Sequence, residues 1–216
     1  MTSLGVTFRS ATRDDALFVA PLIYAIGRRD LDRLFTGLAP GFGPLEVVTR
    51  FYQADGGMFS WRNTELALVD GAPAGFITAY RTASRQGSTA WLARAAAKLG
   101  ARALLLLAWR GAQAARTLQP QLTGSWYIAF VGVSPDQQSL GVGSSLIERS
   151  IQSARTLGCS CVELDVDVDN PRAQSLYERL GFRTLPADRQ QQSSSMVPTL
   201  RMVLRLPGRE PLRLVR

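Results

Sequence analysis

The sequence predicts an α/β domain in which strands and helices interleave around one sheet. Three observations carry the prediction. Segments that alternate apolar and polar residues, such as Val6-Thr-Phe-Arg-Ser-Ala11 and Val162 to Val168, are separated by segments with apolar residues every three or four positions. Two short, largely apolar runs, Glu65 to Val69 and Ala74 to Tyr80, flank Asp70-Gly71, a preferred hairpin turn, and read as a β-hairpin. A further run through Val131 and Val133 stops at Ser134-Pro135 and leads through a turn of small residues into a helical stripe.

Taken in order, Val6 to Ala11 is the first strand. Thr12, with Asp15 three residues on, reads as a capping box ahead of Ala16, Val19, Ile23 and Ile26. A second helix is expected over Leu45 to Gln53, after the turn Pro40-Gly-Phe-Gly-Pro44. The Asp70-Gly71 hairpin comes next, and Trp126 to Val133 is the next strand. Leu146, Ile147, Ile151, Ala154 and Leu157 then form one apolar stripe that stops at Gly158. In the following strand Val162, Leu164, Val166 and Val168 alternate with Glu163, Asp165, Asp167 and Asp169, so one face is strongly acidic. Asn170-Pro171 opens another helix as cap and first position, and Gly181 closes it. Ala187 to Ser195 reads as a polar loop, Thr199 to Leu206 as the last strand, and residues 207–216 as a basic tail.

Residues 82–124 stand apart as an expected helical insertion between two strands that a plain hairpin could join. Trp91 to Leu99 and the apolar run Ala103 to Trp109 read as one or two helices around Gly100. No acidic residue occurs from Gly71 to Pro135, and Arg94, Lys98 and Arg102 recur at every fourth position. A solvated helix face accounts for that spacing, and so does a basic surface meeting a membrane or anionic partner. The apolar run must be buried somewhere, and burial within the domain or in a homodimer is preferred here over membrane contact.

Composition narrows the chemistry. With 216 residues, 46% apolar and 19% charged, the chain is expected to fold as one domain over residues 1–216. It contains no histidine, which excludes a Cys/His zinc site and a His-based triad, and no metal is expected. Cys159 and Cys161 are two residues apart, a poor geometry for a mutual disulfide. No secretory leader is evident at Met1 to Phe8 either, so a cytoplasmic location is expected. The net charge of +8 suits an anionic cofactor, a nucleic acid or an anionic membrane, and does not choose among them.

The most informative stretch is Gln138-Ser-Leu-Gly141-Val-Gly143-Ser144, between the strand and the helix. Small residues there let main-chain amides face a ligand, and the helix adds unpaired first-turn amides and the positive end of its dipole. Such a turn can seat a pyrophosphate, although a structural turn needs the same residues. A dinucleotide fingerprint would want glycine at Leu146, and a P-loop would want a Gly-Lys pair that the chain lacks. One strand later comes Asn170-x-x-Ala173-x-x-x-Tyr177-x-x-x-Gly181-Phe182. Alone, Asn170 could be only a helix cap and Tyr177 only a core residue.

In order and spacing, these two blocks resemble the GNAT superfamily of acetyl-CoA-dependent N-acetyltransferases. The resemblance spans Trp126 to Phe182, with Ser139 standing where the family often has glycine. It implies a mixed, mostly antiparallel central sheet flanked by helices, with the strand ending at Ser134 splayed from the one carrying Val162 to Val168. It also implies transfer of an acetyl or other small acyl group from acetyl-CoA to a small-molecule or peptide amine by direct attack. The amides of Gln138, Ser139, Leu140, Gly141, Val142, Gly143 and Ser144 would bind pyrophosphate. Val131 and Val133 would pair with the pantetheine arm, Asn170 would lie beside it, and Tyr177 would protonate the departing thiolate. Nucleic acid is not expected as a partner by this reading; a non-catalytic acyl-CoA sensor or a basic nucleic-acid module is the alternative. The general base stays open among Glu163, Asp165, Asp167 and Asp169, and nothing in the chain names the acceptor.

Overall fold

The computed structural model describes residues 5–54, 57–82, 100–115, 121–185 and 198–207. The expected helical stretch Trp91 to Leu99 with Arg94 and Lys98, the whole expected polar loop Ala187 to Ser195 and nearly all of the basic tail lie outside them. The strands are β1 (Val6–Ser10), β2 (Thr64–Val69), β3 (Ala72–Arg81), β4 (Trp126–Val133), β5 (Cys161–Asp167), β6 (Arg183–Thr184) and β7 (Thr199–Arg205). They form one sheet in the order β1-β2-β3-β4-β5-β7-β6. Every neighbouring pair is antiparallel except β4 and β5, which are parallel. The expected mixed, mostly antiparallel sheet is therefore present.

Helices α1 (Ala16–Ile26), α2 (Arg28–Phe35), α3 (Pro44–Gln53) and α4 (Ala101–Ala115) pack on one face, around Val19, Phe35, Phe51, Phe76 and Leu107. Helices α5 (Val142–Thr156) and α6 (Pro171–Arg179) belong to the other face, where Leu146, Ile151, Val162, Leu164 and Phe182 form a second core. The Asp15 carboxylate accepts from Thr12 N at 2.7 Å, so the capping box forms, over a short 3-10 turn ahead of α1. Periodicity alone does not reveal helix α2. Its eight residues carry three apolar positions, Leu31 and Phe35 buried and Leu34 partly so, among five charged ones, a single helical repeat.

The apolar run in α4 is buried on one side only. Ala103 and Leu107 enter the core, whereas Leu105 and Trp109 are 72% and 63% exposed. Arg110 Nη1 holds the helix in place by donating to Leu34 O at 3.0 Å and Thr36 O at 2.8 Å, at the end of α2. No helix among the described residues is long and apolar enough to cross a membrane.

Two features of the sheet define the site. β4 pairs with β5 only through Trp126↔Val162, Tyr127↔Glu163 and Ile128↔Leu164, so the strands part as expected, leaving a V between them. On its other side β4 stays with β3 up to Val133, apart from a bulge that leaves Ala129 without a partner. At the base of the V lies a buried ionic network. Arg201, 2% exposed, donates to Glu163 at 2.8 Å and to both Asp165 oxygens at 2.6 and 2.8 Å. Glu163 also accepts from Leu122 N at 2.9 Å and from the Ser125 hydroxyl, and Tyr127 donates to Asp165 at 3.0 Å. Burial raises the Glu163 carboxyl above its usual range, partly offset by Ser125 and Arg201. Burial works against the Arg201 charge, but Asp165 and Glu163 outweigh it and hold its pKa up.

Breaking this network from the cationic side strands two carboxylates in the core. Arg201→Met should therefore cost about 3–5 kcal/mol of stability at neutral pH in urea titrations. The deficit should shrink as pH falls, because Glu163, whose carboxyl burial already raises, then takes up a proton and loses its unpaired charge. A deficit independent of pH would mean that the lost packing of the arginine stem dominates.

Candidate active site

The turn between β4 and α5 is built from two left-handed residues. Ser139 has φ +68°, and Gly141, which caps α5, has φ +88°. Glycine takes that conformation freely and serine does not. Ser139 is held there by Arg172, whose Nη2 donates to Ser139 Oγ at 2.9 Å. The backbone ladder of α5 starts with Ser145 N donating to Gly141 O at 3.0 Å, which leaves the amides of Val142, Gly143 and Ser144 facing the turn. A Cβ on Gly143 would lie 3.6 Å from Val133 and 3.9 Å from Leu176, inside the space between β4 and α6.

That space is a cleft of about 500 Å³. Nine of the residues singled out from the sequence line it: Val131, Val133, Gln138, Ser139, Gly141, Gly143, Ser144, Asn170 and Tyr177. Two others do not. Leu140 is 47% exposed at the tip of the turn, and the Val142 side chain is buried in the core beneath it, so each can offer only its main chain. Ala173 and Leu176 complete an apolar wall, while Arg172 and Arg179 put two cations at the rim. Sequence reasoning misses these arginines because the chain has so many that composition does not distinguish the two. Their one signal is a position on the same helix as Asn170 and Tyr177.

Asn170 caps α6, its side-chain oxygen accepting from Ala173 N at 3.1 Å, and its amide group lines the cleft. Tyr177 is 7% exposed and packs on Phe182 with ring centroids 5.8 Å apart. Burial pushes its phenol up to about 12. It therefore stays protonated across physiological pH, at the buried end of the cleft. Nothing among the described residues forms a metal-binding cluster.

The acidic strand faces the other way. Val162, Leu164 and Val166 pack into the α5 and α6 core, so Glu163, Asp165 and Asp167 point toward the α1 and α2 layer. The V between β4 and β5 is where the two faces communicate. Glu163 and Asp165 are committed to Arg201, which removes two of the four candidate bases. Asp169 is exposed, 3.9 Å from Arg29. Asp167 is partly buried, and burial first, then Asp30, raises its carboxyl above the usual range.

A side chain at residue 141 would meet no crowding atom, so its cost is conformational. Gly141→Val should strain the turn and turn its amides away, lowering affinity for coenzyme A at least about tenfold (about 1.4 kcal/mol) in calorimetric titration. Unchanged affinity in a folded variant would reject the turn as a phosphate seat.

Residues 29–182 match the acetyltransferase (GNAT) family. The chain is 40% identical over 71 residues to mycothiol acetyltransferase of Saccharopolyspora erythraea, a match covering 33% of this chain and 23% of that protein. It thus spans less than a quarter of that relative. An N-acetyltransferase from Staphylococcus aureus Mu50 superposes with a TM-score of 0.66 at 16% identity, covering 92% of this chain and 100% of the other. The PaiA N-acetyltransferase of Thermoplasma acidophilum, solved with coenzyme A, gives 0.51 at 11% identity over 94% of this chain and 99% of its own. Those likenesses speak to the fold, and the family match covers well over half of the chain. The protein belongs to the GNAT acetyltransferase family, whose members use acetyl-CoA.

Proposed function

We propose that the protein is an N-acetyltransferase acting by direct transfer to an amine. The observation that carries the reading is one cleft lined by the left-handed turn at Ser139 and Gly141, by the end of β4 beyond its pairing with β5, and by Tyr177. Phosphate groups suit the positive mouth formed by the first amides of α5, with Arg172 and Arg179 beside it. An extended arm with amide groups suits the free edge of β4 at Val131 and Val133, which can bond to it as to an added strand. Ala173 and Leu176 exclude water from that arm.

Bound there, acetyl-CoA supplies an acetyl group activated as a thioester. Tyr177 contributes a proton donor for the departing sulfur, and its burial keeps the proton in place until it is needed. The acceptor approaches from the α1 and α2 side through the V, where Asp30 and Asp167 make the approach anionic and suited to a cationic amine. The segment 82–124 is read as shaping that acceptor side. The local identity to mycothiol acetyltransferase supports acetyl transfer; the acceptor is not carried over from so partial a match. Two buried thiols outside any disulfide fit a reducing cytoplasm.

Free-thiol release should be measured with acetyl-CoA and a panel containing spermidine, agmatine, glucosamine and short cysteine-free peptides. Turnover of at least one amine is expected; saturable acetyl-CoA binding without turnover of any would favour a sensor. Tyr177→Phe should bind acetyl-CoA almost normally and lose on the order of 10²-fold in single-turnover rate. Full activity would assign Tyr177 to packing.

A further inference from the structure

The acidic face of β5 offers a choice of carboxylates, and the structure narrows it. Glu163 is fully buried and held by Arg201, Leu122 and Ser125. Asp165 is held by two arginine nitrogens and the Tyr127 hydroxyl. Protonating either would break the network at the base of the V, so neither can cycle a proton cheaply. Asp169 lies past the end of β5, open to water.

Asp167 differs from all three. It ends β5 beyond the last pair with β4, on the wall of the V, and shares its face with Glu163 and Asp165. Its main-chain oxygen is fixed by Asn170 N and Gln174 Nε2, both at 3.0 Å, which sets the direction of the residue. The charged groups that face its carboxylate are Asp30 and Arg29 on α2 and Asp169 on its own chain segment. Asp30 also keeps one buried oxygen, Oδ1, without a partner among the described residues.

We infer that Asp167 is the general base of the transfer, taking one proton from the acceptor's ammonium group. The inference rests on the acetyl-transfer reading. The proton moves from nitrogen to the Asp167 carboxylate, and the freed electron pair forms the C–N bond as the C–S bond breaks. The sulfur takes a proton from the Tyr177 side, and the second proton lost by nitrogen restores that tyrosine. Asp167 returns its own proton to water. Burial and the like charge of Asp30 make this carboxylate a stronger base than an exposed aspartate, with Arg29 opposing them and Asp169 adding to them.

The test compares wild type, Asp167→Asn and Asp30→Asn with the panel amine that wild type turns over fastest, at saturating acetyl-CoA. Asp167→Asn should lose about 10²-fold in kcat/KM at neutral pH with acetyl-CoA affinity unchanged. Its deficit should shrink as pH rises and more of the acceptor is already neutral. Asp30→Asn removes a like charge, so the acidic limb of its kcat/KM profile should move to lower pH. In the ligand-free protein the carboxyl titration of Asp167, followed by ¹³C NMR, should move the same way. Wild-type turnover carries the acetyl-transfer reading by itself. Full kcat/KM in Asp167→Asn, a deficit equal at every pH, or an unmoved titration in Asp30→Asn would each overturn the assignment and leave that reading standing.

Discussion

From Phe130 to Val133, β4 keeps β3 on one edge and has no strand on the other. Backbone groups in the middle of a sheet seldom go unpaired, because each buried one left unsatisfied costs about 1–3 kcal/mol. Two things hold the strands apart. The bulge at Ala129 bends β4 where its pairing with β5 ends, and the Arg201 network ties β5 to β7 along its length and to β4 only at Tyr127, below the opening. A sheet that could close there would need no ligand. Held open, it presents a row of amides and carbonyls beside a cleft whose far end is a helix N-terminus.

The turn at that helix shows how strain is tolerated at a site. A non-glycine residue in the left-handed region costs roughly 1–2 kcal/mol. Glycine at residue 139 would avoid the cost, and the resembling family often has it. Serine keeps a hydroxyl that Arg172 reaches from α6, so strain in the turn is offset by a tie between the two walls of the cleft. The tie also carries a cation to the place where phosphate oxygens would sit. Ser139 is thus better understood together with Arg172 than as a missing glycine.

Much of this was legible in the sequence, for reasons that can be named. Alternation revealed β1 and β5, the Asp70-Gly71 turn revealed β2 and β3, and the family resemblance carried by the turn and tyrosine motifs pointed to nine of the cleft residues. Helix α2 was hidden because it is short: Leu31, Leu34 and Phe35 supply only one helical repeat among five charged residues. The acidic face of β5 left the base open for a different reason. Alternation says which residues share a face and nothing about what covers it, and Arg201, 36 residues after Asp165, cannot be paired with it from spacing. Likewise Leu105 and Trp109 carry the same apolar signal as Leu107, and only packing separates them.

The same network also explains how a long segment can sit beside the site without loosening it. Thr82 N donates to Ser125 O at 3.0 Å, and the Thr82 hydroxyl donates to Leu122 O at 2.7 Å. Glu163 accepts from Leu122 N and Ser125 at the same place, so both ends of the segment are tied to the base of the V. Once the ends are fixed, extra chain between them adds little, since each doubling of loop length costs only about 0.6 kcal/mol. Both ends of the segment are therefore fixed independently of what lies between them, and within it α4 is anchored separately by Ala103, Leu107 and Arg110. Glu163, too firmly held to serve as the base, instead joins the sheet to the two ends of that segment.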